Sequence, residues 1–274
     1  MSAFEKIVSD CPAPLVEAAL ELATDAYPDL DIPLYLEQIQ QLAEGFDIFL
    51  ATRLEGDFQE EKILEQLNDF FFHELGFAGN TCDYYDVRNS YINEVLDRRV
   101  GIPISLSVVY QALAASAGVR LFGINFPGHF LLAFLKPNGQ RLYIDVFQRG
   151  RMFEWSECDR RLREQLGLDC RLEESEFPPM SNRDILVRML RNLKGIYSRH
   201  NLDLCLRVQE RIVKLMPHDP SESRDLGALY FHSGHPMMAV KTFEKVLRQH
   251  PYWAEKNSVE SYLSQAVREA VLLN

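Results

Sequence analysis

The chain has 274 residues, 47% hydrophobic and 25% charged, with a formal net charge of −11 at pH 7. That balance belongs to a packed globular protein and excludes a disordered chain. The acidic excess repels phosphate backbones and argues against direct nucleic-acid binding, and the densest basic clusters, Arg98-Arg99 and Arg160-Arg161-Arg163, sit among Asp97, Asp159 and Glu164. The opening MSAFEKIVSD lacks the basic and apolar regions of a signal peptide. No apolar run approaches the ~20 residues of a membrane-spanning helix, so a cytoplasmic protein without membrane contact is expected. Five scattered cysteines (Cys11, Cys82, Cys158, Cys170 and Cys205), with no C-x-x-C pair, suit reduced thiols better than disulfides or zinc.

Apolar residues at helical spacing predict three helices over residues 14–75. The first opens at Leu15 after Pro12 and Pro14, the second carries Leu36, Ile39, Leu42, Phe46 and Phe49, and the third runs from Ile63 to Leu75. Turns are expected at Tyr27-Pro28-Asp29, Glu55-Gly56-Asp57 and Gly79-Asn80. A polar, aromatic loop over Asn80–Tyr91 leads to a short helix around Ile92–Leu96. Pro103 and Ser105 then start a helix that ends near Gly118. Beyond it, short apolar runs at Val119–Ile124, His129–Phe134 and Arg141–Phe147 read as strands. They are separated by Phe126-Pro127-Gly128 and by Pro137-Asn138-Gly139, a hairpin signal. Residues 151–182 read as a charged connector ending in Phe177-Pro178-Pro179.

From residue 183 the helical period returns. Pro217 and Pro251, each closing an amphipathic helix, are 34 residues apart, which is the tetratricopeptide length. Leu226-Gly227, Tyr230, Ala239, Phe243 and Pro251 fall at the small and aromatic positions of that repeat. Tyr197, Cys205 and Ile212 mark a degenerate preceding unit, and residues 254–272 supply a capping helix. Three regions are therefore expected: 1–150, a helical N-terminal region and core; 151–182, the connector; and 183–274, the repeats. A protein or peptide partner suits the repeats.

Chemistry concentrates in the core. A hydroxyl at the helix start (Ser105) would be polarised by the helix dipole. His129 on the second strand can act as base and Asp145 on the third can fix its tautomer, a nucleophile–base–orienter set. Each residue also has a structural reading: Ser105 as a helix cap, His129 as a hydrogen-bonded strand histidine, Asp145 as a turn former. Glu94 either faces the same pocket or pairs with Arg98 four residues on. Cys82 is the one thiol in a loop able to swing towards the site. No metal or cofactor is expected. His73-Glu74 lacks the second histidine of a zincin helix, His232 and His235 flank a turn at Gly234, and Gly76-Phe77-Ala78-Gly79 lacks the partners of a phosphate loop.

A helix followed by strands bearing His129 and Asp145, sixteen residues apart, resembles the transglutaminase-like, papain-related core. Asn89-Ser90-Tyr91, Asn93–Leu96, Arg98-Arg99, Gly101–Ser107 and Pro127–Leu131 resemble the bacterial SirB family, which joins such a core to a tetratricopeptide tail. The resemblance implies an α+β, mainly helical protein with a small antiparallel sheet and C-terminal helical repeats. It departs in one respect: active transglutaminases start the helix with a cysteine about fifteen residues before its terminal glycine. Counting back from Gly118 reaches Pro103. Two functions follow as expectations: a protein- or peptide-binding, regulatory module without thiol catalysis, or a hydrolase or acyl-transferase using Ser105, His129 and Asp145. A regulatory protein acting on transcription indirectly is a third.

Overall fold

The computed structural model describes every residue except Glu55, Asp57, residues 168–170, Leu273 and Asn274. Cys170 and most of the turn expected at Glu55–Asp57 therefore lie outside the described residues; Gly56 is described, at φ +94°. The protein forms two compact units, Met1–Met189 and Leu190–Asn274. No helix among the described residues is long and apolar enough to cross a membrane.

The first unit opens with α1 (Ala3–Val8), α2 (Leu15–Leu22), α3 (Ile32–Arg53) and α4 (Glu60–Asp69). Local chemistry starts them. Ser2 and Glu5 form a capping box on α1, and the Asp31 carboxylate caps α3 just ahead of Pro33. The third expected helix differs from a simple α-helix. After Asp69 the backbone widens into a π-type turn over Phe70–Glu74, in which the Leu75 N–H donates to the Phe70 carbonyl at 2.9 Å. The wider turn leaves Phe70, Phe71 and Phe72 all buried. A two-residue parallel pair, β1 (Ala78–Gly79) with β2 (Val100–Gly101), brackets α5 (Ile92–Arg98).

The central helix, α6 (Pro103–Ser116), is buried without interruption from Pro103 to Tyr110, so this stretch has no solvent face. Its end closes with a hydrogen bond from the Val119 N–H to the Ala114 carbonyl at 2.9 Å. The first strand accordingly starts two residues later than Val119. An antiparallel sheet follows in the order β3 (Leu121–Phe126), β4 (His129–Leu135), β5 (Arg141–Asp145), β6 (Arg151–Phe153). Gly128 at φ +69° makes the two-residue turn that pairs Phe126 with His129, and Gly139 at φ +84° makes the next. Register pairs Leu132 with Ile144 and Ala133 with Tyr143.

Residues 151–182 are more than the expected connector. They contain β6 and α7 (Trp155–Leu166), whose Cys158 and Leu162 pack with Ile124, Phe126, Leu131, Ala133, Tyr143 and Phe153. These strand residues alternate, leaving Phe130, Leu132 and Phe134 for the opposite face, where α6 lies. Burial on both faces explains the unbroken apolar run of β4. Pro179 bridges to Ile124 at the outer edge of β3, and the Met180 N–H donates to the Gly123 carbonyl.

α8 (Asn182–Tyr197) gives its first half to the first unit. The second unit comprises its remainder with α9 (Leu202–Leu215), α10 (Pro220–His232), α11 (Pro236–Gln249) and α12 (Lys256–Leu272). Tyr197, Cys205 and Ile212 are buried, as are Leu226, Ala239 and Phe243. The repeat glycine has a definite cause: a Cβ on Gly227 would lie 2.5 Å from the Phe243 ring. Phe243 also stacks on Tyr262 of the capping helix, with ring centroids 5.9 Å apart.

Gly227 and Gly195 both sit inside helices, but a Cβ on Gly195 meets nothing within 4 Å. Gly227→Ala is expected to destabilise the protein by about 1–3 kcal/mol through overpacking. Gly195→Ala is expected to stabilise it by about 0.5–1 kcal/mol through helix propensity. Urea unfolding of the two variants measures the opposite signs.

Candidate functional site

β4 begins at His129 and β5 ends at Asp145, and the antiparallel register brings the two together: His129 Nε2 lies 2.9 Å from Asp145 Oδ2. This is ion-pair distance, but the ring nitrogen and Oδ2 are not aligned as a hydrogen bond, so both atoms count as buried polar atoms without one. The Asp145 side chain is 0% exposed and that of His129 25%, which makes the histidine the accessible member.

The expected strand to Phe147 stops at Asp145 because Oδ1 accepts from the Gln148 N–H at 3.0 Å and starts a tight turn. Arg149 and Gly150 follow at φ +53° and +70°. The Gly150 N–H donates back to the Asp145 carbonyl at 2.9 Å. Asn68 on α4 locks this turn: its Nδ2 donates to the Gly150 carbonyl at 2.8 Å, and its Oδ1 accepts from the Tyr110 hydroxyl of α6 at 2.9 Å. A Cβ at Gly150 would fall 1.7 Å from that amide oxygen, so only glycine fits.

Around the histidine lies an aromatic wall. The Phe147 ring meets His129 edge-on, centroids 6.4 Å apart. Tyr84 packs edge-on to Phe147 at 6.0 Å and Tyr85 against Tyr84 at 5.4 Å. Gly79 admits Phe147, since a Cβ there would lie 2.5 Å from the ring. Arg188 reaches in from α8, and its Nη2 donates to the His129 carbonyl at 2.6 Å. Burial lowers the pKa of this guanidinium and raises that of the Tyr84 phenol, whose neighbour it is.

Residues 34–191 match the transglutaminase-like superfamily and residues 193–271 the tetratricopeptide repeat. The protein belongs to the transglutaminase-like superfamily. It is 36% identical over 268 residues to a UPF0162 protein of Xylella fastidiosa (strain 9a5c), covering 96% of this sequence and 94% of that protein. It is 24% identical over 267 residues to UPF0162 protein YchA of Escherichia coli (strain K12), covering 96% of each. It is also 32% identical over 200 residues to the Homo sapiens F-box only protein 21, covering 69% of this sequence and 31% of that protein.

In this transglutaminase-like core Ser105 is placed differently from His129 and Asp145. Its hydroxyl is fully buried. It donates to the Asn89 carbonyl at 2.5 Å and accepts from the Ile102 N–H at 3.1 Å. The side chain thus reaches back to the helix N-cap and ties it to the preceding turn. Among the described residues, the imidazole makes no hydrogen bond to a hydroxyl or thiol. Glu94 accepts from the Tyr27 hydroxyl at 3.0 Å, while Arg98 turns to Asp86 at 3.5 Å, so the expected Glu94–Arg98 pairing gives way to two others. Cys82 is exposed; Cys158 and Cys205 are buried, and burial pushes the Cys158 thiol up to about 12. Among the described residues, no group of three or more His, Cys, Asp or Glu is arranged to hold a metal ion.

Sequence reasoning missed Phe147, Tyr84, Arg188 and the buried Ser107, whose Oγ has no hydrogen-bond partner among the described residues. Ser107 lies one helical turn from Gln111, which donates to the Leu121 carbonyl of β3, so it is on the sheet-facing side of α6. The paired tyrosines in a polar loop were the one legible signal. Arg188, inside Ile185-Leu186-Val187-Arg188-Met189, carries none.

Ser105→Ala removes two buried hydrogen bonds, leaving the Ile102 N–H only its long 3.4 Å bond to the Asn89 carbonyl, and is expected to cost about 1–3 kcal/mol in urea unfolding. For the thiols, native-state iodoacetamide at pH 8 is expected to modify Cys11 and Cys82 and to spare Cys158 and Cys205, whose burial raises their pKa values. Peptide mass mapping before and after unfolding measures this.

Proposed function

We propose that the protein is a peptide- and protein-binding regulatory module: the surface at His129 takes a peptide segment, and the helical repeats take a partner protein. One observation carries this reading: among the described residues, no nucleophile hydrogen-bonds the His129 ring. The position where active transglutaminases hold a thiol is Pro103 here, and the nearest hydroxyl, Ser105, is held by backbone groups. A partly exposed histidine beside aromatic rings remains, which suits recognition of an extended peptide. The tetratricopeptide match over 193–271 supports the partner-protein half. The SirB-like motifs at 89–131, in a family some of whose members carry regulatory names, support the regulatory setting.

A second reading draws on the 2.9 Å approach of His129 to Asp145: a hydrolase or acyl-transferase acting on peptide or amide bonds, with Ser105 as nucleophile. Attack would require the Ser105 hydroxyl to leave Asn89 and turn to the imidazole.

Fluorophosphonate labelling of the full-length protein separates the two. The binding reading expects no labelling above that of the unfolded control in wild type, Ser105→Ala or His129→Ala. Labelling of wild type that both variants lose would replace it with the enzyme reading. On a peptide array, the binding reading expects the set captured by wild type to be lost in His129→Ala.

A further inference from the structure

Three arginines of α8 differ in how they are paired. Arg183 pairs with Asp10 and Arg191 with Glu222, each at 2.7 Å. Arg188, half-buried between them in sequence, has no carboxylate within ion-pair distance among the described residues. Its Nη2 donates to the His129 carbonyl and its Nη1 to the Asn125 side-chain oxygen, and its guanidinium lies over the Phe130 ring, 5.5 Å from the centroid. Its neighbours are thus neutral acceptors, an aromatic face and the Tyr84 phenol. Acidic partners are not scarce: the sequence has 40 acidic residues against 29 Lys and Arg.

A partly desolvated guanidinium without a counter-charge is costly unless an anion completes it. These bonds engage one N–H on each terminal nitrogen, which leaves donors for a planar acceptor. Its location narrows the ligand: it is bonded to the backbone of His129 and neighbours Tyr84, so whatever it holds lies beside the Tyr84–Phe147 wall that the imidazole also meets.

We propose that Arg188 is the anion anchor of the His129 site and selects peptides that present a carboxylate there, from an Asp or Glu side chain or from a free C-terminus. Arg188 sets the charge preference, Tyr84 and Phe147 flank the adjoining residue, and His129 contacts the peptide beyond it. This rests on the peptide-binding reading above.

The test uses the full-length protein and two probes. In the first, acetate alone is titrated while the Arg188 Nε–Hε NMR signal is followed. In the second, three peptides of one length are compared: one with an internal Glu and an amidated end, one with Gln and a free C-terminus, and one with Gln and an amidated end. Acetate is expected to shift the Arg188 signal. At least one charged peptide is expected to bind about tenfold or more tighter than the neutral one, as for a charge-assisted bond. Whichever charged peptide binds identifies the source of the carboxylate. Arg188→Gln should remove the preference and Arg188→Lys should keep part of it. Equal binding of charged and neutral peptides to wild type overturns the anchor and leaves peptide binding standing. An acetate shift with no peptide binding supports the anchor and overturns the peptide reading. An Arg188 signal unmoved by acetate and by every peptide overturns the anchor. The wild-type arms keep the test decisive if Arg188→Gln does not fold.

Discussion

The carboxamide of Asn68 joins three elements that the sequence keeps far apart. One end accepts from Tyr110 on the central helix and the other donates to Gly150 in the turn that follows Asp145. Tyr110 is fully buried, and burial raises the pKa of its phenol, so it remains a proton donor at any ordinary pH. Gly150 in turn bonds the Asp145 carbonyl. The carboxylate therefore faces His129 because α4, α6 and the end of the sheet are fastened at one point. Each such bond contributes only ~1 kcal/mol net, but orphaning a buried member costs about 1–3 kcal/mol, which makes the turn a single arrangement rather than a family of loops.

The same rule decides what the Ser105 hydroxyl of α6 does. Most polar groups of a helix buried on every side are satisfied within the protein, Ser107 Oγ being an exception among the described residues. Ser105, at the third position of that helix, lies beside the Ile102 N–H and the Asn89 carbonyl, which bond each other only at 3.4 Å, and it bonds both. Its role follows from burial. His129, at the open end of β4, keeps a quarter of its side chain accessible. The core thus separates a buried hydroxyl bonded to backbone groups from an imidazole that keeps part of its surface accessible.

How much of this was legible in sequence depended on distance along the backbone. The 34-residue spacing and Gly227 were readable because the repeat is a local pattern, and the Gly227–Phe243 contact spans two adjacent helices. The approach of His129 to Asp145 was readable because a hairpin with Asn138-Gly139 between its strands limits the register. The β6–α7 pair was missed because a three-residue strand and a charge-rich helix resemble a linker until their apolar residues meet the sheet. Arg188 and Phe147 were beyond reach: they meet His129 from 59 and 18 residues away, and nothing in their own surroundings sets them apart. Periodicity reports which face is buried; it does not report which side chain arrives at a site.

A wholly buried carboxyl group is a poor way to stabilise a fold, since its desolvation offsets most of what a partner returns. An apolar pair on β4 and β5 would serve the sheet as well. Asp145 already does its structural work through Oδ1, which caps the turn, so Oδ2 facing His129 is surplus to the fold. Arg188, bonded to the His129 carbonyl, has no carboxylate within ion-pair distance among the described residues, where Arg183 and Arg191 each have one. A buried carboxyl oxygen turned to a partly exposed histidine, and a guanidinium bonded to that histidine's carbonyl near an aromatic wall, are the features on which the peptide-site proposal rests.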